Sequence, residues 1–236
     1  ICITKNGLYK WWRLDRPRRK AIFDSDEKIV VPYRATNNRF AYDNEKRFND
    51  GGDIRAIVIK DNEMKIKYVL GVLNSKIIDW YFGFIGKPKG DTREYFNEPL
   101  SKIPISEAEI EIQNAISELV DNIMKKSNEY RVIENNFLKY VMSKFVSINI
   151  YKKLKNWYEL EFGDFIKELN KEIKKSGREK LSKMDEMEWM ELFEAKKAEV
   201  LKLKEAIDQT DKEIDKMVYQ LYGLTDEEIK IVEESL

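Results

Sequence analysis

The chain has 236 residues, 42% of them hydrophobic and 36% charged, which is typical of one large or two small globular domains rather than a disordered protein. It holds one cysteine, Cys2, and no histidine, which excludes an internal disulfide framework, a cysteine-based zinc site and a histidine general base. Because no stretch resembles a membrane span or a signal peptide, we expect a cytoplasmic protein with no membrane partner. The first residue, Ile1, leads us to expect a piece of a longer protein.

The formal net charge of zero hides an uneven distribution. Residues 1–105 carry 21 Lys and Arg against 14 Asp and Glu, a balance of +7, whereas residues 106–236 carry 22 against 29, a balance of −7. A positive balance in one half of a chain indicates contact with an anionic partner. A solvated acidic helical face in the second half would give the same division, so both interpretations stay open here.

The densest basic segment runs from Lys10 to Lys20 and has six basic residues, one acid and two tryptophans. Guanidinium groups bind phosphate in pairs, and aromatic rings pack on sugars or bases. Trp11 and Trp12 fit a core or an edge strand better, since large aromatic residues mostly serve packing. The basic residues predict a phosphate-binding segment made of Arg13, Arg16, Arg18, Arg19 and Lys20.

The next part of the chain reads as short strands followed by a helix and a basic loop. Apolar runs predict strands over 28–33, 39–42 and 54–60, with a turn at 49–53. Apolar residues at helical spacing predict a helix over 68–82, and Gly86, Pro88 and Gly90 then predict a flexible loop. We therefore expect a small mixed β-sheet with packed helices in residues 1–105.

Residues 106–236 are predicted to be mostly helical. Helix starts are predicted by capping boxes at 106–109 and 225–228 and by a cap formed by Asp185 with Glu188, and a helix end is predicted by Gly223. We also expect helices at 135–145 and 164–174 and an ambiguous strand at 147–151. Near 186–222 apolar residues recur at alternating spacings of four and three, typical of a coiled-coil-like helix. The seam positions are Trp189, Phe193, Lys196, Val200, Leu203, Ile207, Thr210, Ile214, Met217 and Leu221. Such a seam serves a pairing arm or an ordinary helical hairpin. The predicted fold class is α+β.

Motifs that would carry chemistry are missing or weak. The five prolines include no Pro-Pro pair, so the loop with which amine-modifying DNA methyltransferases hold a flipped base is absent, as are Gly-rich cofactor loops and phosphate-binding motifs. Asp53 with Glu63 and Lys65 fits a metal-dependent nuclease only loosely, because acid-x-Lys recurs elsewhere in this charged chain. We expect no catalytic, cofactor-binding or metal-binding residue in this chain.

The order and spacing of several short motifs resemble the TaqI-like C-terminal specificity domain of fused restriction enzyme and adenine methyltransferase proteins. The motifs are Trp11-Trp12-Arg13-Leu14, Ile29 to Arg34, Asn38-Arg39-Phe40-Ala41-Tyr42, Leu73-Asn74-Ser75-Lys76, Gly86 to Gly90, Glu98 to Ile105, Ile207 to Asp215 and Val218 to Thr225. The resemblance implies a target-recognition domain that reads a short duplex DNA sequence for a methyltransferase domain upstream. S-adenosylmethionine, and Mg²⁺ if the parent also cleaves DNA, would belong to that parent protein.

The residues predicted to bind DNA outside the basic segment lie in two loops and the strand between them. Loops 34–38 and 87–93 would enter a groove, where their Arg and Lys side chains could donate to guanine and Asn37 or Asn38 could pair adenine. We expect substitution of Arg93 to relax sequence preference and substitution of Arg18 to weaken binding to all sequences alike. The set comprises Arg34, Asn37, Asn38, Arg39, Tyr42, Lys87, Lys89 and Arg93.

Three alternatives remain at this stage. The chain could be a helical scaffold that docks a partner protein through the long seam and reads no DNA. It could be a nuclease that uses Asp53 and Glu63. It could also be a specificity subunit that serves a methyltransferase on a separate chain.

Overall fold

A computed structural model describes residues 20–47, 53–60, 63–145, 148 and 150–236. Within them the strands are β1 (Lys28–Pro32), β2 (Arg34–Ala35), β3 (Ala41–Asp43), β4 (Ile54–Ile57), β5 (Lys87–Lys89) and β6 (Thr92–Glu94). The helices are α1 (Lys20–Asp24), α2 (Ile66–Asn74), α3 (Lys76–Ile85), α4 (Asn97–Leu100), α5 (Ile110–Lys144), α6 (Lys152–Lys155), α7 (Phe162–Lys175), α8 (Lys183–Leu221) and α9 (Asp226–Glu234). The α+β class is confirmed.

The chain divides into two compact units. The first comprises residues 1–120 and 213–236, and the second comprises residues 121–212. The first unit therefore includes two stretches, 106–120 and 213–236, that lie beyond the division at residue 105. The division at residue 105 stays a prediction.

The strands of the first unit form two three-stranded antiparallel sheets instead of one mixed sheet. The first sheet has the order β3-β1-β4, and the second has the order β2-β6-β5. Ile29 and Val31 alternate into the core of the first sheet and are fully buried. Tyr33 joins the two sheets: its N–H donates to the carbonyl of Asp53 at 2.6 Å, and its carbonyl accepts from the N–H of Tyr95 at 2.9 Å.

The helix predicted over 68–82 is two helices, α2 and α3, which meet at Ser75. The backbone of Ser75 is extended, with φ of −66° and ψ of 153°, which interrupts the helix. Its hydroxyl donates to the carbonyl of Val72 at 2.7 Å. Hydrophobic periodicity does not reveal this break because the apolar positions continue across it.

The two long helices, α5 and α8, do not begin with the caps that the sequence predicts. The capping box at 106–109 is wrong: Ser106 donates its hydroxyl to the carbonyl of Glu107, and α5 begins at Ile110 and runs unbroken through the separately predicted 135–145 segment. Helix α8 begins at Lys183, where Ser182 and Asp185 bond each other reciprocally instead of Asp185 with Glu188.

Other predicted helix signals are confirmed. Gly223 has a φ of 67°, a left-handed conformation suited to the residue just after a helix, and follows the end of α8. Thr225 and Glu228 form the predicted capping box of α9. Helix α7 matches the segment predicted over 164–174. The strand predicted at 147–151 falls partly outside the described residues, and its described members Ile148, Ile150 and Tyr151 are not in a strand.

All ten seam positions of α8 are buried or half-buried. In the second unit, Trp189, Phe193 and Val200 belong to one hydrophobic core. The same core contains the stacked rings of Phe137 and Trp157, whose centroids are 3.9 Å apart. This burial favours the ordinary interpretation of the seam, in which the helix packs within its own chain.

Candidate nucleic-acid interface

The second sheet has two chemically different faces. Arg34 pairs with Glu94, and Glu94 pairs with Lys87, so these three residues share one face. Lys89 lies two residues beyond Lys87 on the same strand and therefore on the same side. Arg93 and Ala35 lie on the opposite face. We call the first face the cationic face and define it by Arg34, Lys87, Lys89 and Glu94.

The buried carboxylate of Glu94 contacts two cations of the cationic face, Arg34 and Lys87. Its side chain is only 4% exposed, and its Oε1 accepts hydrogen bonds from Arg34 Nε at 2.9 Å and Nη2 at 2.6 Å. Lys87 Nζ lies 3.7 Å from Oε2. Burial alone would raise the pKa of Glu94, but Arg34, Tyr33 and Lys87 hold it below its ordinary value. Glu94 therefore stays ionised, while the cationic groups of Arg34, Lys87 and Lys89 remain exposed to solvent.

Two aromatic rings lie beside these cations. The guanidinium carbons of Arg34 and Arg55 lie 5.3 and 5.2 Å from the centroid of the Tyr33 ring. Tyr33 meets Phe96 edge to face at 5.3 Å, and Lys87 Nζ lies 5.6 Å from the Phe96 centroid. Such cation–aromatic contacts fix the direction of flexible side chains.

Three members of this cluster are not among the residues predicted from the sequence. Tyr33, Arg55 and Phe96 come from different segments, and only the pairing of β1 with β4 and the sheet junction at Tyr33 bring them together. Arg55, Lys87 and Phe96 line a surface cavity of about 480 Å³. The proximity of Phe96 to the predicted basic loop is the only signal in the sequence that could have suggested any of them.

Arg93 lies on the other face and is mostly buried, which disfavours its predicted role as a base reader; that role stays a prediction. Its side chain is 12% exposed and forms an ion pair with Asp79 on α3. Arg93 Nη1 also donates to the Asp79 carbonyl at 2.6 Å, and its guanidinium lies over the ring of Phe82. Burial raises the pKa of Asp79, although Asn38 and Arg93 oppose that rise. The pair holds the second sheet against α3.

Asn38 likewise forms hydrogen bonds inside the fold, and its predicted pairing with adenine stays a prediction. Its Nδ2 donates to the carbonyl of Leu73 at 2.8 Å, and its Oδ1 accepts from the hydroxyl of Tyr95 at 3.0 Å. Its backbone N–H donates to Asp79 Oδ1 at 2.6 Å. One N–H of the amide and one lone pair of its oxygen are thus used within the fold, which disfavours pairing with adenine.

The loop around Asn38 leaves two predicted residues accessible. Asn37 is exposed and accepts a hydrogen bond from Thr36 Oγ1 at 2.5 Å. Arg39 is exposed and has no ion pair or hydrogen bond with the described residues.

The remaining predicted residues lie elsewhere or outside the described chain. Tyr42 belongs to the first sheet, where its hydroxyl donates to Glu27 Oε2 at 2.8 Å. It lines a cavity of about 530 Å³ together with Asp26 and Glu27. Cations are also present there, since Lys67 Nζ lies 5.6 Å from the Tyr42 ring centroid and Lys46 pairs with Asp26. Lys20 begins α1, but its side chain is not described, and Trp11, Trp12, Arg13, Arg16, Arg18 and Arg19 lie outside the described residues.

The nuclease alternative gains no support from the described part of the chain. Asp53 precedes β4 and Glu63 lies in the turn before α2, and both are exposed. The described residues contain no group of three or more Cys, His, Asp or Glu side chains arranged to hold a metal ion.

None of the described helices is both long enough and apolar enough to cross a membrane.

Two protein families match different parts of the chain, residues 2–105 and residues 108–218. No curated protein matches the chain. Residues 108–218 match a family described only as a domain of unknown function, DUF8810. Residues 2–105, which include the second sheet and the whole cationic face, match the TaqI-like C-terminal specificity domain, and this confirms the family resemblance for the motifs within that range. The motifs at 207–215 and 218–225 lie outside that match.

Proposed function

We propose that residues 2–105 form a DNA target-recognition module of a restriction-modification enzyme, and that the cationic face contacts the duplex. The strand register is the observation that carries this proposal. It brings Arg34, Lys87 and Lys89 to one exposed face and leaves the buried carboxylate of Glu94 beneath them. The match to a specificity domain supplies the class of partner.

The β5–β6 hairpin suits entry into a groove. Lys87, Pro88 and Lys89 are all exposed on an edge strand. Gly90 has a φ of 59°, as the first central residue of a tight type II′ turn requires, so the hairpin reverses within two residues. The major groove of B-DNA admits a two-stranded ribbon of this kind.

The residues of the cationic face differ in how firmly their side chains are oriented, and we assign base contacts and phosphate contacts accordingly. Arg34 and Lys87 are directed by Glu94 and by aromatic rings, so they are preorganised to donate to base edges such as those of guanine. Lys89 and Arg39 are exposed cations without an ion pair to the described residues and are suited to phosphates, and the amide of Asn37 is exposed. Arg13, Arg16, Arg18, Arg19 and Lys20 would add phosphate contacts that set the register on the duplex.

The role in the parent protein is the finer part of the proposal. The module would position target DNA for an adenine methyltransferase domain, either upstream in the same chain or on a separate subunit. That domain would bind S-adenosylmethionine and perform the chemistry, and any Mg²⁺-dependent cleavage would also belong to the parent. A specificity domain itself selects DNA and need not catalyse a reaction.

Selection of sites from random duplex DNA tests the proposal. The double variant Lys87→Gln/Lys89→Gln is compared with the wild-type chain and with Lys60→Gln/Lys65→Gln, whose side chains are also exposed lysines of the first unit. We expect the first variant to lose about 1–3 kcal/mol of binding free energy and to select a less defined site. We expect the control variant to select the wild-type site.

Unchanged affinity and site selection in Lys87→Gln/Lys89→Gln would overturn the assignment of the cationic face. If the isolated chain binds no DNA at low salt, the same variants are tested in the full-length parent. A parent that still selects its site with both lysines replaced would also overturn the assignment.

A further inference from the structure

The second unit carries a row of lysines that the recognition module does not account for. From Lys167 to Lys175, every exposed side chain of α7 is a lysine. Lys167, Lys171 and Lys174 follow the helical spacing of four and three and so form one stripe. Phe165 and Leu169 are buried on the opposite side of the helix.

Two acids on α7 lie beneath the lysines. The side chain of Glu168 is 19% exposed, and its carboxylate lies 3.4 Å from Lys153 Nζ and 3.6 Å from Lys171 Nζ. Glu172 is almost fully buried, and its carboxylate accepts a 2.6 Å hydrogen bond from Lys175 Nζ. These acids hold the ammonium groups of three lysines at the surface, and Asp164, one turn before Lys167, is the exposed acid at the start of the stripe.

One exposed aromatic ring belongs to the same surface. Tyr151, just before α6, is 55% exposed, and Lys175 Nζ lies 5.0 Å from its ring centroid. Through the Lys153–Glu168 pair, α6 and α7 present their cations together. We define the lysine face as Tyr151, Lys153, Lys167, Lys171, Lys174 and Lys175.

The chemistry of the lysine face selects among anionic partners. Lysine is depleted in protein–protein interfaces, which makes a protein partner a poor fit. A membrane-binding face pairs its cations with aliphatic and aromatic residues that insert among lipids, whereas this face has only Tyr151. A helix rises 1.5 Å per residue, so Lys167 to Lys174 covers about 10 Å, a row of charges suited to a row of phosphates.

We propose that the lysine face binds the phosphate backbone of duplex DNA without reading its sequence. The identity of the anion rests on the proposed function of the first unit, whereas the face itself belongs to the second unit. Residues 108–218, matched only to a family of unknown function, would thereby supply a second and nonspecific DNA contact. Tyr151 would pack against the sugar edge of the backbone.

Salt dependence of DNA binding by the whole chain tests this proposal. The variant Lys167→Gln/Lys171→Gln/Lys174→Gln is compared with Lys125→Gln/Lys202→Gln/Lys212→Gln, which removes three exposed lysines from helices of the same unit. Each lost phosphate contact lowers the slope of log K against log salt by about 0.9. We expect the lysine-face variant to lose up to about 2.7 in slope and to weaken on all sequences alike, whereas the control keeps the wild-type slope.

Two results would overturn the proposal. The first is an unchanged slope in the lysine-face variant, with thermal unfolding showing that both variants are folded. The second is binding of phosphatidylserine vesicles that the lysine-face variant loses while its DNA binding stays intact, which would assign the face to a membrane surface.

The two proposals fail separately. Loss of site selection in Lys87→Gln/Lys89→Gln, together with an unchanged slope in the lysine-face variant, would support the recognition module and reject the lysine face as a DNA contact. A reduced slope in the lysine-face variant, with no effect of Lys87→Gln/Lys89→Gln, would leave only the nonspecific contact.

Discussion

The carboxylate of Asp215, on α8, accepts a 2.8 Å hydrogen bond from the backbone N–H of Lys76, the first residue of α3. The local cap position, Ser75, makes no side-chain cap, because its hydroxyl is bonded to the carbonyl of Val72. A residue 139 positions later in the chain therefore satisfies the start of α3. Lys76 also reaches Glu233 of α9 through its Nζ at 2.9 Å. These bonds tie the end of the chain to the helix that supports the second sheet.

Replacing Asp215 tests this long-range cap. We expect Asp215→Ala to lower the free energy of unfolding by about 1–3 kcal/mol, because a buried N–H loses its acceptor. Asp215→Asn keeps an oxygen acceptor and should stay close to the wild type at pH 7. Urea unfolding at pH 7 measures both, and equal losses in the two variants would show that charge, rather than hydrogen bonding, is what matters.

The pH dependence of the same site has a definite sign. Burial raises the pKa of Asp215, with the bond from Lys76 opposing the rise and Glu233 adding to it. Because the folded pKa lies above the unfolded value, the stabilisation by this group is present below the unfolded pKa and disappears as pH rises through the folded pKa. Stability measured from pH 4 upwards should therefore decline less in Asp215→Asn than in the wild type.

Arg93 is expected to matter for folding and not for base preference. Arg93→Gln removes one partner of a buried ion pair and leaves Asp79 uncompensated, a change that typically costs about 3–5 kcal/mol. Arg39→Gln, at an exposed position, is the control and should change stability by less than about 0.5 kcal/mol. Chemical unfolding and site selection on the folded fraction measure the two properties. A stable Arg93→Gln protein with a broadened DNA site would restore Arg93 as a base reader.

Local signals in the sequence predict local structure. The capping box of Thr225 with Glu228 and the helix end at Gly223 are confirmed, and each depends on residues within a few positions of one another. The segment after Gly86 is predicted to be a flexible loop, whereas the structure has the β5–β6 hairpin there. The cationic face also requires Arg34 opposite Glu94, which lies 60 residues away.

The contacts that hold Arg93 and Asn38 within the fold depend on partners far along the chain. Arg93 and Lys87 look equivalent in a basic loop, and only the register against Glu94 and the position of Asp79 separate the buried cation from the exposed one. The amide of Asn38 is occupied by Leu73 and Tyr95, which lie 35 and 57 residues away. Propensity and spacing carry no information about such contacts.

Glu94 should control both the acid stability of the sheet and the charge of its face. Because its pKa is held below the ordinary value, its stabilisation is present above the unfolded pKa of about 4.3 and is lost as pH falls through the folded pKa. Glu94→Gln should remove that acid-dependent loss. It also adds one net positive charge to the face, so the salt slope of DNA binding should steepen by up to about 0.9.

Acid unfolding followed by circular dichroism and salt titration of DNA binding measure these two effects. Asp185→Asn is a suitable control, because Asp185 also has a lowered pKa, from its bonds to Ser182, but belongs to the second unit and not to the cationic face. It should alter acid stability without altering the salt slope. A Glu94→Gln protein with the wild-type salt slope would show that DNA does not approach this face.

Gly71 on α2 is expected to be required by the close approach of α5. A Cβ at this position would lie 2.7 Å from Cγ2 of Ile116 and 3.1 Å from Cγ2 of Val120. Ile116 is fully buried and branched at Cβ, so this methyl group cannot turn away freely. Gly71→Ala should therefore cost about 1–3 kcal/mol by overpacking, in spite of the better helix propensity of alanine.

A double-mutant cycle separates overpacking from other effects of Gly71→Ala. Ile116→Ala removes the obstructing methyl group, so the double variant Gly71→Ala/Ile116→Ala should lose less stability than the sum of the two single variants. Gly163→Ala is the control, since a Cβ in that helical position meets no atom within 4 Å and should leave stability unchanged or raise it by up to about 1 kcal/mol. Additive losses in the double variant would mean that α2 and α5 do not depend on this contact for their spacing.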